Sequence, residues 1–270
     1  MRDRCLKIIK EFFLLVNDFF VFFLQLFKLK NYISSIFRKN TIRIITAADT
    51  SHFKSLNQLL NSINEKTNYK DVIVYDLGLN LEERDIILKK YPFINLKKFE
   101  FENYPKFVNL NEKDKGAYAW KPIIIYNEFL NFKHTLFWMD AGNLVTRNFI
   151  FLKYYTIVNG FYCPYSSDNV KRWTHKTTLE YLGVEKRIFK KRNLNAAFIG
   201  FNSNYKNQNF INYWYKCALN KNIILPEGSN KDNHRWDQSL LTILYYKNLN
   251  KIFKLKTFST WGVKIHQDID

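Results

Sequence analysis

The chain has 270 residues, of which 42 are Lys or Arg and 24 are Asp or Glu, so its formal net charge at pH 7 is +18. This length suits one sizeable α/β domain with an appendage, which we prefer to two small domains. The positive charge favours anionic partners, although the abundance of Lys, Asn, Ile and Phe also fits an AT-rich coding sequence. Cys5, Cys163 and Cys217 are too scattered for a disulfide framework or a zinc pattern, which indicates a reducing compartment.

The first forty residues predict an amphipathic helix. Residues 12–27 read FFLLVNDFFVFFLQLF, and the polar side chains between positions 7 and 28 fall on one side of a helix as a narrow stripe. The run is short for a membrane span, contains Asp18 and has basic residues on both flanks. Residues 1–40 therefore predict a helix lying on an anionic membrane surface. A signal anchor, or a helix docked on its own domain or a partner, remains an alternative, whereas a removable signal peptide lacks a cleavage site.

From residue 41 onward, predicted strands and helices alternate. In chain order they are strand 42–49, helix 56–63, strand 71–79, helix 82–91, strand 96–102, helix 119–130, a strand ending at Asp140, strands 161–165 and 195–201, and helices 208–220 and 236–247. This alternation predicts an α/β domain over residues 41–270, with a mostly parallel central sheet and helices on both faces.

The most informative segment is FWMDAG at residues 137–142, where an apolar run stops at Asp140 and two small residues follow. In open α/β sheets, ligands bind outside the carboxyl ends of the strands, so Asp140 is placed where a metal, phosphate or sugar would lie. Ala141 and Gly142 would let a ligand approach the backbone closely. The simpler interpretation, that Asp140 caps the next turn, is weakened by the other motifs of the chain.

Five short motifs follow one another along the chain: TAAD at 46–49, WKP at 120–122, DAG at 140–142, NAAF at 195–198 and HRWDQ at 234–238. Together with YDLGL at 75–79, they resemble the GT-A glycosyltransferases of the glycogenin and galactosyltransferase type over about residues 41–245. The similarity is greatest to a poorly characterised branch with W-[LM]-D-A and R-[WYF]-D-Q-S motifs. The resemblance implies a Rossmann-like GT-A fold and an enzyme that moves a sugar from a nucleotide diphosphate donor, a UDP-sugar, to a polysaccharide, lipid-linked or protein acceptor.

The resemblance also implies which residues bind the nucleotide. Thr46, Ala47 and Asp49 would line the pocket for the base and ribose, since a flat base lies against small residues. Lys121 would reach the diphosphate, whose charge a cation offsets. A turn cap for Asp49 and a solvated helix end for Lys121 are the ordinary structural alternatives.

A second group would face the transferred sugar or the acceptor. By resemblance, Asn195 presents its amide to sugar hydroxyls, and Asp237 and Gln238 begin a helix beside the reacting centre. Asp237 there acts as a general base on an acceptor hydroxyl or stabilises an oxocarbenium-like centre. Its structural alternative is a helix cap. Trp173 is either an aromatic platform for a sugar or a buried loop anchor.

In the family, the carboxylate motif at Asp140 holds a divalent cation, Mn²⁺ or Mg²⁺, that bridges the two phosphates. Here Gly142 stands where a second Asp is usual, so another ligand would be needed. His266 is the candidate metal ligand beside Asp140, and Asp268 is a further one, although a disordered tail is the simpler interpretation of these last residues.

The expected partners are therefore a nucleotide-sugar donor, a glycan, lipid-linked or protein acceptor and an anionic membrane surface, without nucleic acid. The expected location is the cytoplasmic face of a membrane, or, for a signal anchor, its opposite side. An inactive relative that binds only a partner or a membrane is the main alternative, motivated by the missing carboxylate. A nucleic-acid-binding module is less favoured because the aromatic residues occupy core spacings.

Overall fold

The computed structural model describes residues 41–249 and 260–270, residues 25–36, and positions 16, 19, 20 and 23 before them. The strands are β1 Ile42–Asp49, β2 Val72–Gly78, β3 Ile94–Lys98, β4 Thr135–Met139, β5 Leu144–Val145, β6 Phe161–Tyr162, β7 Tyr165–Asn169, β8 Arg192–Leu194, β9 Phe198–Asn202 and β10 Val263–Lys264. The helices are α1 Leu29–Ile36, α2 Phe53–Lys66, α3 Leu81–Lys90, α4 Trp120–Leu130, α5 Ile150–Asn159, α6 Val170–Trp173, α7 Lys176–Tyr181, α8 Lys186–Phe189, α9 Tyr205–Ala218, α10 Lys221–Ile224 and α11 Trp236–Leu244. The alternation predicted from residue 41 onward is confirmed.

The central sheet has six strands in the order β3-β2-β1-β4-β9-β6. Neighbours from β3 to β4 are parallel, whereas β9 runs antiparallel to both β4 and β6. The predicted α/β class with a mostly parallel sheet is confirmed. The strand order reverses direction between β1 and β4, and such a switch point opens a crevice at the carboxyl ends of those strands.

Both faces of the sheet are covered, which explains why its strands read as nearly continuous apolar runs. In β4 all five residues are buried, and Phe137 and Trp138 point into different hydrophobic clusters. The cluster containing Trp138 includes side chains from α4, α9 and α11, whereas that containing Phe137 includes side chains from α2 and α5. These two layers hold the carboxyl end of β4 rigidly in the middle of the sheet.

Two predicted segments differ from the structure. The strand predicted at 161–165 is divided, because β6 joins the central sheet while β7 pairs with β8 in a separate two-stranded sheet. The interpretation of the last residues as a disordered tail is wrong: β10 pairs with β5, and the Asp270 carboxylate accepts hydrogen bonds from the backbone N–H groups of Lys54 and Ser55. The C-terminal segment is therefore held against β5 and the start of α2.

Most of the predicted N-terminal amphipathic helix lies outside the described residues, but its last part is α1 and the turn before it. The described part of its polar stripe, Gln25 and Lys28, faces the domain: Lys28 Nζ donates to Asn159 Oδ1 on α5 at 2.5 Å, and Asn159 Nδ2 donates to Gln25 Oε1 at 3.0 Å. Tyr32 completes this polar cluster by donating to Gln25 Oε1 at 2.8 Å. Of the helices that the structure describes, none is long and apolar enough to cross a membrane.

The packing at Gly200 gives a test of the sheet register. Gly200 in β9 pairs with Phe137 in β4, and a Cβ at Gly200 would lie 2.5 Å from Phe137 Cε1 and 2.8 Å from Thr156 Oγ1. We expect Gly200→Ala to lower the free energy of unfolding by about 1–3 kcal/mol, because a close-packed core does not accept an added methyl group. Urea denaturation measures this loss, and Phe137→Leu should recover part of it in the double variant. An unchanged midpoint would contradict the register.

Candidate functional site

The described part of the chain contains a cavity of about 420 Å³ at the switch point of the sheet. Its floor is formed by the carboxyl ends of β1 and β4, and its sides by the start of α4, the start of α11 and the C-terminal segment. Nearly every residue predicted for the site lines this cavity: Ala47, Asp49, Lys121, Asp140, Ala141, Gly142, Asn195, Asp237, Gln238 and His266. Thr46 lies deeper in β1, fully buried and outside the lining.

Small residues leave room above the strand ends. Ala47 and Ala48 end β1, and Ala141 and Gly142 follow β4, so backbone is exposed to the cavity without large side chains. The turn after β4 is held by two backbone hydrogen bonds, Asp140 N–H to Ala197 O at 2.9 Å and Asn143 N–H to Asp140 O at 3.0 Å. This geometry presents a flat, rigid surface on which a planar group can lie.

Lys121 is the centre of the charged part of the site. Its side chain is buried at the start of α4, and Nζ lies 3.0 Å from Asp140 Oδ1, 3.3 Å from Asp237 Oδ2 and 3.4 Å from Ala196 O. Burial alone would lower the pKa of Lys121, but the two carboxylates outweigh it and raise the pKa, so the ammonium is charged. Lys121 is therefore not the solvated helix end that its position in the sequence allows.

The two carboxylates differ in their surroundings. Asp140 is about one-third exposed, and its Oδ1 also accepts a hydrogen bond from Trp138 Nε1 at 2.6 Å. Asp237 is buried, and burial raises its pKa to about 6 against the opposing effect of Lys121. Apart from the Lys121 ion pair, Asp237 Oδ2 accepts no hydrogen bond from the described residues. A buried carboxylate oxygen with spare capacity, beside a cavity, is suited to accept a hydroxyl proton.

Asp237 does not cap its helix. The cap position of α11 is Arg235, which has no capping hydrogen bond from its side chain, and the Asp237 carboxylate turns toward Lys121 instead. The neighbouring Gln238 Oε1 accepts a hydrogen bond from Ala196 N–H at 3.3 Å. The start of α11 thus contacts both Lys121, through Asp237, and the turn before β9, through Gln238.

The turn before β9 carries Asn195, whose Oδ1 accepts a hydrogen bond from Ala197 N–H at 2.9 Å. The amide nitrogen lies 3.1 Å from His266 Nε2, so the C-terminal segment reaches this side of the cavity. Trp173 does not line the cavity; the guanidinium groups of Arg172 and Arg235 lie 4.7 Å and 4.1 Å from its ring centroid. Its surroundings are those of a loop anchor rather than of a sugar platform.

Asp49 ends β1 in a short polar cluster. Its Oδ1 accepts a hydrogen bond from Ser51 Oγ at 2.7 Å and lies 2.9 Å from His52 Nδ1. The hydrogen bond to His52 is the largest cause that lowers the pKa of Asp49, and the same bond raises the pKa of His52. Asp49 is thus held as a carboxylate on the floor of the cavity, able to accept hydrogen bonds from hydroxyl groups.

The structure adds residues that were missed in the sequence. An aromatic wall is formed by Tyr118, Trp120 and Trp236, in which the ring centroids of Trp120 and Trp236 lie 5.9 Å and 5.7 Å from that of Tyr118. Basic side chains stand around the same cavity: Lys115, Lys231 and Arg235. Trp120, Arg235 and Trp236 belong to the WKP and HRWDQ motifs, but no role was assigned to them. Lys115, Tyr118 and Lys231 lie outside the predicted elements and motifs, where no periodic pattern indicates a site.

Backbone strain is concentrated around the cavity. Residues 114–118 all have positive φ, between 52° and 65°, which forms a left-handed turn that L-residues rarely adopt. Trp236 and His266, with φ of 41° and 56°, also line the cavity. Such strain persists only where the surrounding structure holds it, and it is typical of binding sites.

The residues present do not form a ligand set for a divalent cation. Asp140 faces Lys121, and His266 is paired with Asn195. At Gly142 the space for a second carboxylate is taken, because a Cβ there would lie 2.2 Å from Asp268 Oδ1. Within the part of the chain that the structure describes, no group of three His, Cys, Asp or Glu side chains is placed to hold a metal ion. The predicted metal site at Asp140 and His266 therefore gains no support from the geometry.

Comparisons with known proteins bear on the fold. The family model described as "Protein of unknown function (DUF1647)" matches residues 22–126, and no curated protein matches the chain significantly. The galactosyltransferase LgtC, solved with donor and acceptor sugar analogs, aligns over 83% of this chain and 86% of its own at 16% identity, with a TM-score of 0.52. The bifunctional glycosyltransferase WbbM aligns over 83% of this chain at 12% identity, with a TM-score of 0.54.

The chain has the GT-A fold. The chain spans only 39% of the length of WbbM, so it corresponds to one part of that protein. In its central sheet β1 lies beside β4. The predicted fold class is therefore confirmed. At 12% and 16% identity, the similarity to these structures shows the fold alone.

Proposed function

We propose that this chain is a glycosyltransferase that moves a sugar from a nucleotide diphosphate donor, a UDP-sugar, to a glycan, lipid-linked or protein acceptor. The observation that carries the proposal is the Asp140–Lys121–Asp237 triplet, which lies at the carboxyl ends of the strands where ligands bind in open α/β sheets. Two carboxylates around one buried ammonium are costly to maintain, and such clusters are typical of functional sites.

Each part of the cavity suits one part of the donor. The small residues above β1 and β4 suit the flat base, and the Asp49 carboxylate suits the ribose hydroxyls. Lys115, Lys231 and Arg235 supply positive charge for the phosphates. Asp237 lines the same cavity as Asn195, and its carboxylate is proposed to assist the acceptor hydroxyl or the anomeric centre.

A thermal-shift screen tests donor binding. The full chain is heated with UDP, GDP, CMP or ADP, and a ligand that binds only the folded state at 100 times its Kd should raise the midpoint by about 5 °C or more. We expect UDP to give the largest shift, Asp140→Asn to reduce it, and Asp85→Asn, an exposed acidic residue on α3, to leave it unchanged. If no nucleotide shifts the midpoint, the proposal fails and an inactive, partner-binding protein is favoured.

We also propose that the protein associates with the anionic, cytoplasmic surface of a membrane through its N-terminal helix. The described part of its polar stripe, Gln25 and Lys28, is in contact with Asn159, whereas apolar side chains of the same segment are exposed. Among the described positions of this segment, the exposed apolar residues are Val16, Phe19, Phe20, Phe23, Leu26, Phe27, Leu29, Ile33 and Ile36. Lys30, Arg38 and Lys39 add positive charge, which favours anionic lipid over a protein partner.

Vesicle sedimentation tests the membrane proposal. We expect the full chain to pellet with phosphatidylglycerol vesicles more than with phosphatidylcholine vesicles, and Phe27→Asp to reduce pelleting. Leu81→Asp is the matched control, since Leu81 on α3 is 77% exposed and Phe27 is 78% exposed. Equal pelleting of both variants and the wild type would contradict the proposal, and resistance of the membrane-bound protein to alkaline extraction would favour the signal-anchor alternative.

A further inference from the structure

Gly142 stands where the usual metal motif has a second carboxylate, and in the structure a lysine of the chain offsets the negative charge of the site. Asp140 and Asp237 converge on one point from the end of β4 and the start of α11, where two like charges repel each other. Lys121 Nζ occupies that point, within 3.3 Å of both carboxylates and within 3.4 Å of Ala196 O. The chain therefore supplies, from its own α4, a cation at the place where the carboxylates meet.

The same arrangement leaves little for a metal ion to bind. One oxygen of Asp140 is already shared between Lys121 and Trp138, and the Asp268 carboxylate fills the space beside Gly142 without joining a cluster of ligands among the described residues. A divalent cation at the Asp140–Asp237 point would have to displace the buried Lys121 ammonium, which lies within 3.3 Å of both carboxylates. Displacement would leave that charge buried without a partner, which is strongly unfavourable.

Positive charge for the phosphates is present elsewhere in the cavity. Lys115, Lys231 and Arg235 line it, and none of the three is in an ion pair with another residue of the described chain. Cationic side chains without a carboxylate partner offer phosphate oxygens charge-assisted hydrogen bonds at little cost. The cavity can therefore bind a diphosphate with protein cations alone.

We propose that the Lys121 ammonium takes the structural place of a divalent cation, so that this site binds a nucleoside diphosphate without metal. This proposal rests on the proposed donor-binding function and deepens it. Lys121 is here a positioning residue, because it holds Asp140 and Asp237 in place and offsets their negative charge. Lys115, Lys231 and Arg235 contact the phosphates. The donor site would then depend on the charge of residue 121 rather than on Mn²⁺ or Mg²⁺.

Calorimetric titration of UDP into the full chain tests the proposal, once in excess EDTA and once in Mn²⁺. We expect the same affinity in both buffers, and no heat when Mn²⁺ alone is titrated into the wild type. Lys121→Met should weaken UDP binding in EDTA by about 30-fold or more, because it leaves two carboxylates without their cation. Electron paramagnetic resonance of free Mn²⁺ should then detect a new metal site in this variant, with UDP affinity partly restored by the metal.

Two further variants protect the test from a folding failure. Lys121→Arg keeps the positive charge and should bind UDP equally with or without metal. The double variant Lys121→Met with Asp237→Asn removes the charge of Lys121 together with that of its partner Asp237. Lys98→Met, at an exposed lysine that ends β3, is the matched control and should behave as the wild type. UDP binding by the wild type only with Mn²⁺ overturns this inference but leaves the proposed function. Absence of UDP binding in both buffers overturns both.

Discussion

Replacing Asp237 by Asn is expected to lower the rate of sugar transfer by about 10²–10⁴-fold, the usual contribution of a positioned general acid or base. Asn has the same shape and retains an oxygen for Lys121, which also keeps Asp140 as a partner. Binding of the nucleoside diphosphate should therefore change far less than the rate. Single-turnover transfer from a labelled UDP-sugar measures the rate, and calorimetry measures the binding.

Asp85→Asn is the control for this prediction, because Asp85 is an exposed carboxylate on α3, away from the cavity. Transfer by Asp237→Asn at the rate of the control would show that Asp237 has only a structural role. Loss of both transfer and nucleotide binding would place Asp237 in the donor site rather than at the reacting centre.

The pH dependence of transfer follows from the same residue. Burial raises the pKa of Asp237 to about 6, so the side chain is a carboxylate above that pH and is protonated below it. We expect kcat/KM to fall as the pH decreases through about 6, and the fall to disappear in the residual activity of Asp237→Asn. Lys121, Asp140 and Tyr118 are the groups that face this carboxyl electrostatically. An acid limb that persists in the variant would assign it to another group, such as His52, whose pKa is also raised.

Gly116→Ala is expected to be the most destabilising single change near the cavity. Gly116 has φ of +65°, and a Cβ there would lie 2.0 Å from Val108 O and 2.5 Å from the Val108 carbonyl carbon. The left-handed backbone and the backbone clash together should lower the free energy of unfolding by about 2–5 kcal/mol. Because Lys115 and Tyr118 belong to the same left-handed turn and line the cavity, UDP affinity should fall as well.

Gly183→Ala separates the two causes. Gly183 has φ of +55°, but a Cβ there meets no atom within 4 Å, so this variant tests the backbone strain without the clash. Its loss of stability should be about 1–2 kcal/mol, and UDP affinity should not change. Equal losses in the two variants, measured by urea denaturation, would contradict the close packing of residues 114–118 against Val108.

The sequence predicted those parts of the site that depend on local pattern. Apolar runs that end in TAAD and DAG marked β1 and β4, because buried strands deliver their polar ends to one edge of a parallel sheet. The pairing of Lys121 with both Asp140 and Asp237 could not be predicted, since it joins α4, β4 and α11, which are distant in the chain. A lysine that reads as a solvated helix end is buried because two carboxylates meet it there.

Other features depend on contacts with no local signal. The antiparallel direction of β9 is set by pairing with β4 and β6, not by its own residues. The left-handed turn at 114–118 is held by packing of Gly116 against Val108, and Asp114, Lys115 and Tyr118 do not favour positive φ by themselves strongly enough to predict it. The polar stripe of the N-terminal helix was predicted, but its contact with Asn159 required the position of α5.

Hydrogen exchange followed by mass spectrometry, on the full chain with and without saturating UDP, tests most directly whether the GT-A cavity is a nucleotide-binding site. Ligand that stabilises a region slows the exchange of its backbone amides. A nucleotide-binding site in this cavity predicts slower exchange in peptides covering 46–49, 114–121 and 140–142, which border the cavity, and no change in peptides of α3. Unchanged exchange at all three segments, or protection confined to another surface, would contradict it.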